Sequence, residues 1–158
     1  MILVDANLLL YAYHPRAAQH EKSRAWLTEV LSGTDLVRFA WLTLWAFLRI
    51  ATNARVFERP LSVSEAEAAI ASWFAQPAAG ILEPGERHWD ILRELMREGQ
   101  TTGALVMDTV LAAIAVEHGA TLCTTDRDFA RFPGLRWVNP LAAGRASSVG
   151  TSPDRSRS

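Results

Sequence analysis

Apolar positions along this chain come in two rhythms. Short solid runs predict buried strands, and longer stretches with a helical period fall between them. Ile2–Val4 is a solid run that stops at Asp5 and predicts a strand. Asn7–Tyr13 predicts a helix that ends before Pro15. Ala17–Leu31 predicts a second helix, with Trp26, Leu27, Val30 and Leu31 on one face and Gly33 beyond its end. Leu36–Phe39 reads as a strand and Trp41–Asn53 as a helix. Ser62 followed by Glu65 is a capping box, and behind it Ala66, Ala69, Ile70, Trp73 and Phe74 recur at helical spacing. Gly80–Leu82 predicts a third strand. Glu86–Glu98 predicts a helix with Trp89, Leu92, Leu95 and Met96 inward and Gly99 closing it. Ala104–His118 is apolar nearly all round and is closed by Gly119; Thr121–Thr124 and Arg136–Val138 complete the strands.

Strands that alternate with helices imply right-handed crossovers and a parallel sheet covered on both faces, an α/β fold. After Leu141 the chain reads AAGRASSVGTSPDRSRS, which offers nothing to bury. Residues 1–141 are therefore expected to form one domain and 142–158 a disordered tail.

Composition narrows the class. The chain has 158 residues, 49% of them hydrophobic and 21% charged, enough for a single core in one domain. No apolar run approaches the roughly 18 residues of a membrane span. The N-terminus lacks a basic segment and carries Asp5 inside its apolar stretch, unlike a signal peptide. Cys123 is the single cysteine, which excludes an internal disulfide and a cysteine-based zinc site. A cytoplasmic protein is expected. The net charge of −1 is not the bulk signature of a nucleic-acid binder. Lys22 is the only lysine among the basic residues; arginine suits bidentate phosphate contacts, and it also tracks Ala/Arg-rich composition.

Three aspartates need a reason. Asp5 and Asp126 fall at the carboxyl ends of the first and fourth strands, where open parallel sheets bind ligands. Asp108 lies in LVMDTVLAAIAV, a helix with no other charge before Glu117. A carboxylate on a buried helix costs several kcal/mol unless it is paired or bound to a cation. Each has an ordinary explanation: Asp126 or Asp128 as an N-cap, Asp5 bonded to a nearby turn, Asp108 at a helix dipole. All three together at one end of one sheet point instead to convergence. Converging carboxylates repel, and a hard divalent cation, Mg²⁺ or Mn²⁺, resolves the repulsion. Phosphodiester hydrolysis is the natural chemistry of such a site.

VDANLLLYAY, FLRIATNARVFERPLS and MDTVLAAIAVEHGATLCTTDRDFARFPGLRWVNPL, in this order and spacing, resemble a VapC-type toxin of the PIN-domain family over residues 1–141. The resemblance implies a three-layer α/β/α fold with a short parallel sheet and a Mg²⁺- or Mn²⁺-dependent endoribonuclease. It also implies an RNA substrate, a VapB-like antitoxin and a homodimer. The family's acids fall on Asp5, Asp108 and Asp126, taken as the metal ligands, with Asp128 a further catalytic acid. Asn7 and Thr124 fall on its supporting polar positions. The family's third-helix glutamate is replaced by Ala46, and no acid occurs from Leu36 to Phe57. That leaves the number of metal ions open and gives Asp128 a larger expected part.

Arg49 and Asn53, one and two turns beyond Ala46, are candidates for contact with RNA phosphate or for a solvated helix edge. Trp41 and Trp45 are read as ordinary packing, with a partner groove as the other choice. Two functional alternatives remain. One is a catalytically weakened PIN fold that binds RNA or a partner, supported by Ala46. The other is an unrelated α/β phosphate enzyme, which would need a lysine beside its aspartates; Lys22 lies on a surface-facing helix.

Overall fold

The computed structural model describes residues 1–142. The expected tail lies outside the described residues, apart from Ala142. Five parallel strands, β1 (Ile2–Val4), β2 (Val37–Ala40), β3 (Ala79–Leu82), β4 (Thr121–Cys123) and β5 (Trp137–Val138), form one sheet in the order β3-β2-β1-β4-β5. Six helices join them: α1 (Ala6–Tyr13), α2 (His20–Ser32), α3 (Trp41–Ala51), α4 (Val63–Phe74), α5 (His88–Gly99) and α6 (Leu105–His118). Among the described residues no helix is long and apolar enough to cross a membrane.

The strand pleat sorts the core into two layers. Val4, Val37, Phe39 and Cys123 face α1 to α4, with Leu8, Trp26, Leu44, Phe47 and Trp73 packed on them. Leu3, Ala40 and Leu122 face α5 and α6, against Leu92, Leu95, Leu111 and Ile114. The fold is thus the expected α/β/α sandwich. β1 lies at the centre, paired with β2 on one side and β4 on the other. Its carboxyl end, at Asp5, opens beside the carboxyl end of β4, because Val4 pairs with Cys123.

Several expected boundaries move, each for a local reason. The second helix begins at His20 rather than Ala17. Residues 14–20 instead make two tight turns, Ala17 N–H to His14 O and His20 N–H to Ala17 O. The third helix stops at Ala51, so Asn53 is not on it. The Asn53 side chain instead accepts from Arg55 N–H at 2.9 Å, a turn that competes with the helix. The fifth helix runs through Gly99 and is closed by Gln100 in the left-handed region at φ 50°. Gly99 is small for a different reason: a Cβ there would lie 2.9 Å from the Phe132 ring. Gly119 closes α6 at φ 64° as expected.

Surface aromatics give the other correction. Trp89 is 61% exposed rather than inward, and Phe74 is also exposed. Trp41 and Trp45 are exposed and stacked on each other, with ring centroids 6.4 Å apart, rather than packed in the core.

The capping box predicted at Ser62 is formed in full: Ser62 Oγ accepts from Glu65 N–H at 3.1 Å and Glu65 Oε1 accepts from Ser62 N–H at 3.0 Å. Ser62→Ala is expected to cost about 1 kcal/mol, and Ser64→Ala, exposed in the first turn, to leave stability within ~0.5 kcal/mol. Urea denaturation of both variants checks the difference.

Candidate active site

The site grows from the ends of β1 and β4. β4 hands over to Thr124, whose N–H bonds Val138 O on β5 at 3.0 Å and whose side chain is fully buried. Its hydroxyl donates to Asp5 Oδ2 at 2.7 Å. The same oxygen accepts from Asn7 Nδ2 at 3.3 Å and from Asp126 N–H at 3.0 Å. One hydroxyl has one proton and two lone pairs, and all three are used to tie Asp5, Asn7 and Asp126 together.

The ordinary readings of the aspartates hold alongside this one. Asp5 is the N-cap of α1, with Oδ1 accepting from Ala6 N–H at 2.7 Å. Asp126 is the N-cap of a 3₁₀ turn, Arg127–Arg131, with Oδ1 accepting from Asp128 N–H at 2.8 Å. A carboxylate offers about four lone-pair sites, so capping one N–H leaves room for a ligand. The caps fix where the carboxylates point.

Asp108 arrives from across the site, on the first turn of α6. Its pKa is pushed from 3.8 to about 6, first by desolvation and then by repulsion from Asp5, Asp126 and Asp128; Arg131 pulls it back. Burial also raises Asp5 above its ordinary 3.8, against the pull of its bonds from Thr124 and Ala6, and the charge of Asp126 adds to the rise. Asp108 therefore lies within electrostatic reach of the three other acids. Asp128 stands at the rim, its side chain 60% exposed and 4.0 Å from Arg131.

The other candidates fall differently. Ala46 is half-buried on α3, and Arg49 is exposed one turn on. No hydrogen bond among the described residues ties Arg49 or Asn53 to the aspartates. Arg131 was not singled out by the sequence. It ends an exposed turn three residues after Asp128, a spacing that resembles any solvated ion pair.

The donor chemistry fits a hard cation. Every candidate ligand is an oxygen, and Asn7 Oδ1 is buried without a hydrogen-bond partner beside Asp5 and Thr124. Among the described residues no three acidic, histidine or cysteine side chains are drawn in tightly enough to hold an ion by themselves.

The sequence pattern of the PIN domain matches residues 2–135. The chain belongs to the PIN-domain family. Among PIN proteins it is 46% identical over 142 residues to "Ribonuclease VapC37" of Mycobacterium tuberculosis, covering 90% of this chain and 99% of that one. Solved structures share the fold. VapC20 of M. tuberculosis, described as a sarcin-ricin loop cleaving toxin, has a TM-score of 0.61 at 18% identity, covering 86% of this chain and 99% of that one. VapBC-1 of nontypeable Haemophilus influenzae has a TM-score of 0.64 at 21% identity, covering 90% and 100%.

The raised pKa of Asp108 has a sign that can be tested. Its folded value of about 6 lies above 3.8, so the folded state holds the proton more tightly than the unfolded one. Its contribution to stability is complete below pH 3.8 and is lost as pH rises to about 6. Without metal, Asp108→Asn should therefore raise the melting temperature at pH 7.5, by about 3 °C for ~1 kcal/mol. The gain should shrink towards zero near pH 4. Thermal melts in EDTA across this range check it; a variant less stable than wild type at pH 7.5 would contradict the repulsion.

Proposed function

We propose that this chain is a metal-dependent endoribonuclease that acts as the toxin of a toxin–antitoxin pair. The observation that carries the reading is the Thr124 hydroxyl, which holds Asp5, Asn7 and Asp126 together at the sheet end that Asp108 faces. The relative at 46% identity is named a ribonuclease, and its length is covered almost completely. Solved structures of the same fold are VapBC complexes, which supports a VapB-like antitoxin as partner.

Asp5, Asp108 and Asp126 would hold Mg²⁺ or Mn²⁺, with Asn7 Oδ1 accepting from a water of the ion's shell. The bound ion would supply a nucleophilic water and neutralise charge on the scissile phosphate. Asp5 and Asp126 are fixed by their caps and by Thr124, so they keep their direction as a substrate arrives. A bound cation would favour the charged form of Asp108, whose pKa burial and the neighbouring acids push up to about 6. Asp128 would orient solvent at the rim and so take part of the role left open by Ala46. Exposed Trp41, Trp45 and Trp89 offer apolar surface for a second copy of the chain or for the antitoxin. The binding-module reading rests on Ala46 alone.

The purified protein should cut RNA in Mg²⁺ or Mn²⁺ and stop in EDTA. Asp108→Asn should lose at least ~100-fold in rate while remaining folded. Expression in bacteria should arrest growth with wild type and not with Asp5→Asn at equal protein level. Cleavage that persists in EDTA removes the metal mechanism; equal growth of the two strains favours the binding module.

A further inference from the structure

An acidic site poses a problem for a polyanionic substrate. Asp5, Asp108, Asp126 and Asp128 repel every phosphate of an approaching strand, and the net charge of −1 supplies no general basic surface. A bound cation answers for one phosphate only. Its neighbours along the strand need individual cations at the rim.

Arg131 is built for that place. Buried Phe129 and Phe132 anchor the turn on either side of it. Its Nε donates to Asp128 O at 3.2 Å, and its Nη1 donates to Gly99 O at 3.3 Å. The second bond requires the end of α5 to lie against Phe132, which the bare Gly99 permits. The guanidinium is thus gripped from two elements, and two of its five N–H donors are used. The remaining three face only a 4.0 Å pair with Asp128, and the side chain is 33% exposed. A partly exposed pair at that distance contributes little, so an incoming phosphate displaces it readily. A planar fork with free N–H groups suits phosphate oxygens.

We propose that Arg131 binds a phosphate of the RNA strand next to the one that is cut, an assignment that rests on the ribonuclease reading. Its position beside the acids agrees with its effect on Asp108. Holding the neighbouring phosphate fixes the register of the strand, so Arg131 is a substrate-positioning residue. The competing role is a plain cap on the carbonyl end of α5, and the two roles move different measurements.

The test is steady-state cleavage of a fluorescein-labelled single-stranded RNA in Mg²⁺, over a series of KCl concentrations, with melting temperature alongside. Arg131→Ala should raise KM by roughly tenfold, as loss of a hydrogen bond to a charged group does, and change kcat by less than about threefold. The slope of log kcat/KM against log salt should fall by about one. Arg131→Lys should keep the slope and recover only part of KM. Arg93→Ala, an exposed arginine on α5 paired with Asp90, should change neither. Should Arg131→Ala fail to fold, Arg131→Gln, which keeps a donor for Gly99 O, carries the same comparison. An unchanged KM and salt slope in a folded variant overturns the proposal and leaves the ribonuclease standing, even where the melting temperature drops. A wild-type protein that neither binds nor cuts the RNA overturns the ribonuclease reading, and the role of Arg131 with it.

Discussion

The hydrogen bond from Thr124 to Asp5 is the constraint on which the site depends. Two strands that are far apart in sequence must meet in one register, Val4 opposite Cys123, for the hydroxyl to reach the carboxylate. A slip of one residue would turn Thr124 to the other face of the sheet and leave a buried carboxylate without its donor. Both strands are short, so the register is enforced by the two apolar layers above and below rather than by ladder length. The core, in this sense, sets the geometry of the acids.

Against that order stands a deliberate conflict. Asp108 is half-buried on a helix whose buried positions are Thr109, Leu111, Ala112, Ala113, Ile114 and Ala115, and its pKa is pushed up to about 6. Burial and the repulsion of the neighbouring acids therefore work against its charged form at neutral pH. Such a site gives up stability to keep charges together, as functional sites commonly do.

Much of this was legible in the sequence, and the failures have physical causes. Asp5 and Asp126 were legible because each follows closely on a short strand, Asp5 directly and Asp126 after two threonines, and so falls at its carboxyl end. Asp108 stood out because no neighbour in sequence pays for its burial. Thr124 was found only through resemblance, since a buried threonine after a strand has no signature of its own. Gly99 was misread as a stop signal because a glycine required by a close tertiary contact looks the same as one required by backbone conformation. Trp89 was misread because helical spacing reports a face and not what covers it. Arg131 was missed because its second anchor, Gly99 O, arrives from another element.

The most direct test of this account is the Mn²⁺ affinity of Thr124→Val measured by calorimetry, with Thr124→Ser and Thr109→Val beside it. Valine keeps the shape of threonine and removes the hydroxyl that Asp5, Asn7 and Asp126 share. Thr109, which follows Asp108 on α6, is also buried and bonded, but to Thr101 and to Leu105 O rather than to an acid. The account predicts that Thr124→Val, still folded by its melting curve, weakens Mn²⁺ binding by about 10–100-fold, as loss of an orienting partner does. Thr124→Ser should bind within about threefold of wild type, and Thr109→Val should lose stability without losing affinity. A folded Thr124→Val that binds Mn²⁺ as tightly as wild type would contradict the claim that this hydroxyl assembles the site.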